Sequence, residues 1–352
     1  MNRKIPFSKQ ELRVVDTLPG FMGGPGRPVY NYPVTPRENI AAAYFEKEPY
    51  WIPLPSDSGF FGAKFYNNLL GRGGPDGTVD AFGVQWEWVP VVGGSIVHPG
   101  APLLKNANDW PEVIKFPNLD EIDWQSEANN AKMDPRFSNQ MSFVNGFWFE
   151  RLISFMDFAQ AAVALVDEDQ QDAIKALFAA STDFACKLVD KFCEYFPALD
   201  GFNIHDDWGA QKNPFFSNEI AYDLFVPFMR QLTDHIHSKG RYATLHSCGN
   251  VEKRVQCFID GGIDQWDPQP MNDTQALYEG FGDKIVISVV PDYFDPEKTS
   301  EEEQRARARA HVDKFYKPGK PSALGHYAGA TMTEAFRLEA YEYSRKKYCG
   351  EF

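Results

Sequence analysis

Cysteine is scarce in this chain: five among 352 residues, Cys186, Cys193, Cys248, Cys257 and Cys349, odd in number and without framework spacing. A secreted disulfide scaffold is thereby excluded, and a reducing, cytoplasmic setting is expected. Positive charge is also short, with 35 Lys and Arg against 49 Asp and Glu for a net charge of −14. No basic stripe interrupts that excess, so no nucleic-acid partner is expected, because phosphates call for concentrated Lys and Arg. No apolar run approaches membrane-spanning length, and the opening "MNRKIPFSKQELRVVD" has no apolar core of a signal peptide. A soluble protein with no membrane contact follows as an expectation. Finally, no G-x-G-x-x-G follows any apolar run, which argues against a dinucleotide-binding open sheet.

What is abundant is aromatic surface: 15% of residues, with 29 Phe and 8 Trp, enough for a Phe-rich core or an aromatic-lined pocket. Residues 1–35 are broken by Gly and Pro ("PGFMGGPGRPVYNYP") and read as an extended N-terminal arm. Thr35, Pro36 and Glu38 then form a helix start, and the apolar "WIPLPSD" after that helix reads as a first buried strand ending in Asp57. Residues at about 59–100 alternate apolar and polar positions between glycines, as inserted β-hairpins do. Beyond Met141, apolar runs alternate with helical patterns: "SFVNGFW" before a helix over 150–166, a helix over 169–195, "LDGFNIHDD", a helix kinked at Pro227, "RYATLHSC", "IDQWDPQ", "KIVISVV" and "SALGHYAG". A last helix opens on a capping box, Thr331 to Glu334. Strand-then-helix repeats require parallel strands. Reactive residues recur at several strand ends, and only a closed barrel brings all such ends to one mouth. The expected fold is therefore α/β, a single (β/α)8 TIM barrel over 36–352 with the arm at 1–35 and a β-hairpin insertion after the first strand.

Four groups at those strand ends carry the chemistry. In "YATLHSCGN", His246 and Cys248 are two positions apart, so an extended backbone aims both to one side and turns Ser247 away. They either share a metal or form a strand end with a buried cysteine beside a hydrogen-bonded histidine. His326 in "ALGHYAG" stands at the end of the last apolar run, as a third metal ligand or as a rim histidine bonded to a carbonyl. In "NIHDDWGAQ", adjacent carboxylates point opposite ways; Asp207, or His205 beside it, is the expected catalytic group, with Trp208 and Gln211 on the substrate side. Asp57 and Asp267 (in "QWDPQP") are placed on the rim as substrate-binding residues, although Asp-Pro is equally a turn starter.

"PRENIAAAYFEKEPYWIP", "DAFGVQWEW", "HDDWGAQ", "HSCGN", "GGIDQWDPQP" and "GHYAGATMTEAF" together resemble the uroporphyrinogen decarboxylase superfamily over roughly residues 36–350. Its decarboxylases are similar to this chain in fold but use arginines after the first strand, where this sequence reads "LPSDSGFFGAKF" without one. A ligand with many carboxylates needs such cations. The closer resemblance is to the corrinoid-dependent methyltransferase branch, and it implies zinc on His246, Cys248 and a third residue at the last strand, here His326 or a carboxylate in its place. Thiol-methylating members have a cysteine there; a neutral imidazole leaves zinc more Lewis-acidic, which suits an ether oxygen. With Phe60, Phe61, Trp86, Trp88 and Trp208 near the expected mouth, the resemblance implies an aryl methyl ether O-demethylase component. It would pass a methyl group to the Co(I) corrinoid (cobalamin) of a separate protein docking at the mouth, since no D-x-H-x-x-G run is present to carry the cofactor. The arm would cover its own barrel or that of a second copy in a homodimer.

Overall fold

Thr35 accepts a hydrogen bond from the Glu38 N–H while the Glu38 carboxylate takes the Thr35 N–H, and with Pro36 at the first position this box starts the helix Pro36–Phe45. The structure, a computed structural model, describes residues 5–19, 26–72, 76–91 and 94–351. Residues 1–4 and 20–25 of the expected arm, and 73–75 and 92–93 of the expected insertion, lie outside that description. The strands are β1 (Val14–Leu18), β2 (Arg27–Tyr30), β3 (Ser58–Phe61), β4 (Thr78–Val79), β5 (Gln85–Val89), β6 (Gly94–Val97), β7 (Ser138–Phe143), β8 (Gly201–His205), β9 (Tyr242–His246), β10 (Gln265–Trp266), β11 (Val286–Val289) and β12 (Ser322–Leu324). As expected from the alternation, β4, β5 and β6 form an antiparallel sheet after the first apolar segment.

Seven strands form a curled parallel sheet in the order β12, β11, β10, β9, β8, β7, β3, with helices connecting successive strands. The architecture is TIM-barrel-like, but the expected closed (β/α)8 barrel is not formed. The cause lies in "WIPLP". Pro53 and Pro55 have no N–H to give a ladder, and the segment meets β12 through one backbone bond, from Leu324 N–H to Pro53 O at 2.9 Å. Trp51 is held instead by the buried Asn39, whose side chain accepts from Tyr50 N–H and Trp51 N–H and donates to Trp51 O.

Two compact units divide the chain, one comprising Met1–Gly59, Asp134–Asn139 and Asp264–Phe352, the other Phe60–Met133 and Gln140–Ile263. In the first, the arm packs on its own chain. Tyr32 stacks on Tyr341 with centroids 4.1 Å apart, the Tyr341 hydroxyl donates to Glu11 at 2.7 Å, and Arg345 donates to Ile5 O.

In the second, side chains at Met141, Phe143, Phe202, Ile204, Ala243 and Leu245 alternate with Gln140, Ser142, Asn203, His205, Thr244 and His246. The apolar set is buried, with Phe143 stacked on Phe202. The polar set is wired across three strands: Ser142 Oγ donates to Asn203 Oδ1, Asn203 Nδ2 to Thr244 Oγ1, and Thr244 Oγ1 to Gln140 Oε1 at 2.9 Å. The β-strand period of two thus puts a hydrogen-bonded rung directly beneath the two histidines.

Three helices differ from expectation. The one expected over 150–166 is two, Phe149–Met156 and Phe158–Ala164, because Asp157 takes a φ of 62° between them. The kink at Pro227 is a full break between Asn218–Leu224 and Val226–Ser238, since proline has no N–H for the carbonyl of Asp223. The last helix, Glu334–Cys349, is capped by Thr333 rather than Thr331, which falls in the 3-10 turn His326–Thr331. No described helix is long and apolar enough to cross a membrane.

Candidate metal centre

Strands β8 and β9 pair in parallel with His205 opposite His246. Both rings leave the same face of the sheet, and they stack with centroids 4.3 Å apart and planes 24° from parallel. Two residues beyond His246 the chain brings Cys248 to the same side, Sγ 3.2 Å from His246 Nε2. Ser247 points the other way and accepts the Trp208 N–H through Oγ.

The segments following the two strands are stitched together. Asp206 N–H donates to His246 O, Cys248 N–H to Asp207 Oδ1 at 2.7 Å, and Asn250 N–H to Ala210 O. Glycine makes the approach possible: at Gly249, with φ of 88°, a Cβ would sit 2.3 Å from the Gly209 carbonyl carbon.

The donor atoms of His205, Asp207 and His246 all lie within 4.8 Å of one another. Asp207 Oδ1 is 3.7 Å from His246 Nε2. The two neighbouring carboxyls of "HDD" part company as alternation requires. Asp206 is fully buried and accepts the N–H groups of Phe149 and Glu150 at the start of a helix, and the Trp208 indole N–H at 2.7 Å. Burial, with Glu150 nearby, pushes its carboxyl up to about 7 against the pull of those three donors. Asp207 is left facing the histidines.

Burial and Glu150 set the protonation of the cluster. Burial drives the His246 imidazole toward its neutral form, and His205 beside it adds to the effect. Burial and then Asp207 push the Cys248 thiol up to about 12. Burial also disfavours charge on His205, but Glu150, through its charge and its hydrogen bond, outweighs it and holds that imidazole above its ordinary range. Two imidazoles and a carboxylate within reach of one another, with a thiol beside one of the imidazoles, are donors that suit zinc, and a divalent ion would reverse the penalty on the thiolate.

Trp208 is fully buried among Phe216, Phe225 and Phe258, so its ring is core and not a surface for substrate. Gln211 is exposed on the loop after β8. In the first unit, Asp57 is buried and accepts from Trp51 Nε1 at 2.8 Å and Leu54 N–H, and burial pushes it up to about 6. Also there, Asp267 is brought against His326, whose N–H approaches Asp267 Oδ2 at 3.4 Å. Two residues of the centre went unread in the sequence, Glu150 and Arg72. Glu150 does follow a strand end, in "NGFWFE", the same signal that marked the others.

The "NGFWFE" turn is tied down at Gly146. Its φ is 44°, and a Cβ there would lie 2.2 Å from His205 O and 3.0 Å from Asp206 Oδ1. Gly146→Ala is expected to cost ~2–4 kcal/mol in urea unfolding through the combined clash and strain. A cost under ~0.5 kcal/mol would show that the turn is free to move.

No protein-family model matches the chain, and no curated protein matches it. Among solved structures, a methyltransferase from Methanosarcina mazei superposes with a TM-score of 0.54 at 14% identity, over 90% of this chain and 99% of that one. A xylose isomerase-like TIM barrel protein from Mycobacterium smegmatis, in complex with magnesium, gives 0.27 at 13% identity over 64% and 87%. At such identity the first likeness speaks to the fold.

Proposed function

We propose that this protein is a zinc-dependent methyltransferase that takes a methyl group from a methoxylated aromatic compound and passes it to the Co(I) corrinoid of a partner protein. The observation that carries the reading is the convergence of His205, Asp207 and His246, with Cys248 alongside, at two adjacent strand ends. The likeness of fold to a protein described as a methyltransferase supports it.

Bound there, zinc would supply Lewis acidity toward the ether oxygen. His205 and His246 would supply imidazole nitrogens and Cys248, 3.2 Å from His246, the thiolate, three ligands being the number a catalytic zinc keeps. Asp207, which accepts the Cys248 N–H, would be a further oxygen donor beside them. In the transfer the C–O bond breaks with its electron pair left on the phenolate oxygen. The methyl carbon bonds to cobalt through the Co(I) electron pair.

The test is methylation of free Co(I) cobalamin, followed by its visible spectrum, with a panel of methoxyarenes and of methylated thiols and amines. Guaiacol-type compounds are expected to methylate cobalt and the others not to; turnover with methylated thiols or amines alone would overturn the substrate assignment.

A further inference from the structure

Glu150 has no place in the chemistry above, yet it is among the most firmly positioned residues of the second unit. Its carboxylate is buried, with Oε2 on His205 Nδ1 at 2.5 Å and Oε1 on the Arg72 guanidinium. Its own N–H is held by Asp206 Oδ1 at 2.9 Å, and the preceding turn approaches β8 at Gly146, where no side chain fits. Stability alone is a weak reason for such an arrangement, because a buried Arg-Glu pair contributes little that apolar residues of the same volume would not.

A neutral imidazole carries its proton on one nitrogen, and the hydrogen bond made by that nitrogen decides which one is left for a metal. With Nδ1 turned to Glu150, His205 has Nε2 remaining, on a ring stacked against His246. We propose that Glu150, braced by Arg72, is a positioning residue that fixes the tautomer and rotation of His205 so that Nε2 serves the metal. The inference rests on the zinc reading given above.

The experiment measures zinc affinity by competition with a chromophoric chelator, and the visible d–d bands of the Co2+-substituted protein, in wild type, Glu150→Gln, Arg72→Met and His205→Ala. Glu150→Gln is expected to bind zinc about 10–100-fold more weakly, the usual effect of losing a partner of a metal-bound histidine, with displaced Co2+ bands. His205→Ala should lose at least as much. Arg72→Met leaves the turn intact and keeps the test decisive if Glu150→Gln fails to fold; a several-fold loss with shifted bands is expected of it. Affinities within two-fold of wild type and unchanged bands in every folded variant would overturn the role of Glu150 while leaving the metal centre standing. A wild-type protein that binds neither metal would remove the zinc reading, and this inference with it.

Discussion

Cys248→Ala is expected to strip the protein of zinc, from about one ion per chain to under a tenth by ICP-MS, and to lower Co(I) methylation by about 10³-fold. The size follows from what the ion is asked to do. An aryl ether is a poor methyl donor because its oxygen must depart with a full negative charge, and several kcal/mol of that charge stabilisation come from the Lewis acid. Cys248 is a softer donor than His205, Asp207 or His246, and its Sγ lies 3.2 Å from His246 Nε2. Its replacement removes one small, half-buried side chain, so the circular dichroism spectrum should move little, while the melting temperature falls by no more than the lost ion contributes. Full zinc occupancy in Cys248→Ala would assign the ion to other residues, and an active zinc-free variant would take the metal out of the reaction.

Asp206 governs the second large effect, on folding. Replaced by alanine, it leaves three buried donors unpaired, the N–H groups of Phe149 and Glu150 and the Trp208 indole, at a cost of about 3–5 kcal/mol. Asp206→Asn keeps one acceptor, turns its NH2 against the remaining donor side at a cost that does not vary with pH, and removes the titration. The folded carboxyl titrates at about 7, above its ordinary value of 3.8. The folded protein therefore holds a proton that the unfolded chain releases, and the stabilisation is complete below pH 3.8 and lost as pH rises through 7. Measured as wild type minus Asp206→Asn in urea unfolding at a series of pH values, the difference should fall by on the order of 4 kcal/mol across that window. Subtracting the variant removes the parallel effects of Asp57 and His205 and the opposing effect of His246. A flat difference from pH 4 to 8 would show that Asp206 is not shifted at all.

Much of the second unit could be read from sequence because its strands obey a period of two. "ATLHSC" determines by alternation that His246 and Cys248 share a side, and "NIHDD" that Asp206 and Asp207 diverge. What alternation cannot supply is register between strands. That His205 stands opposite His246, and so joins the cluster, follows from a pairing that no local pattern encodes. Glu150 was obscured for a related reason: a glutamate in the first turn of a helix is ordinary helix chemistry, and only the tight turn at Gly146 makes it face the next strand. The closed barrel failed on a local detail, the two prolines of "WIPLP", whose lost donors outweighed the apolar pattern around them. Trp208 misled because an aromatic next to a reactive pair reads as a pocket wall, while its indole N–H had a buried carboxyl to satisfy.

The rung beneath the histidines bears on how this sequence is able to drift. Ser142, Asn203, Thr244 and Gln140 satisfy one another in series, so a single apolar replacement at any of the four strands a polar neighbour in the interior, whereas a joint replacement need not. Diverging lineages would then retain the quartet intact or exchange it wholesale. In a comparison of related chains, positions 140, 142, 203 and 244 should change as a block, including in lineages where the two histidines above them have been lost.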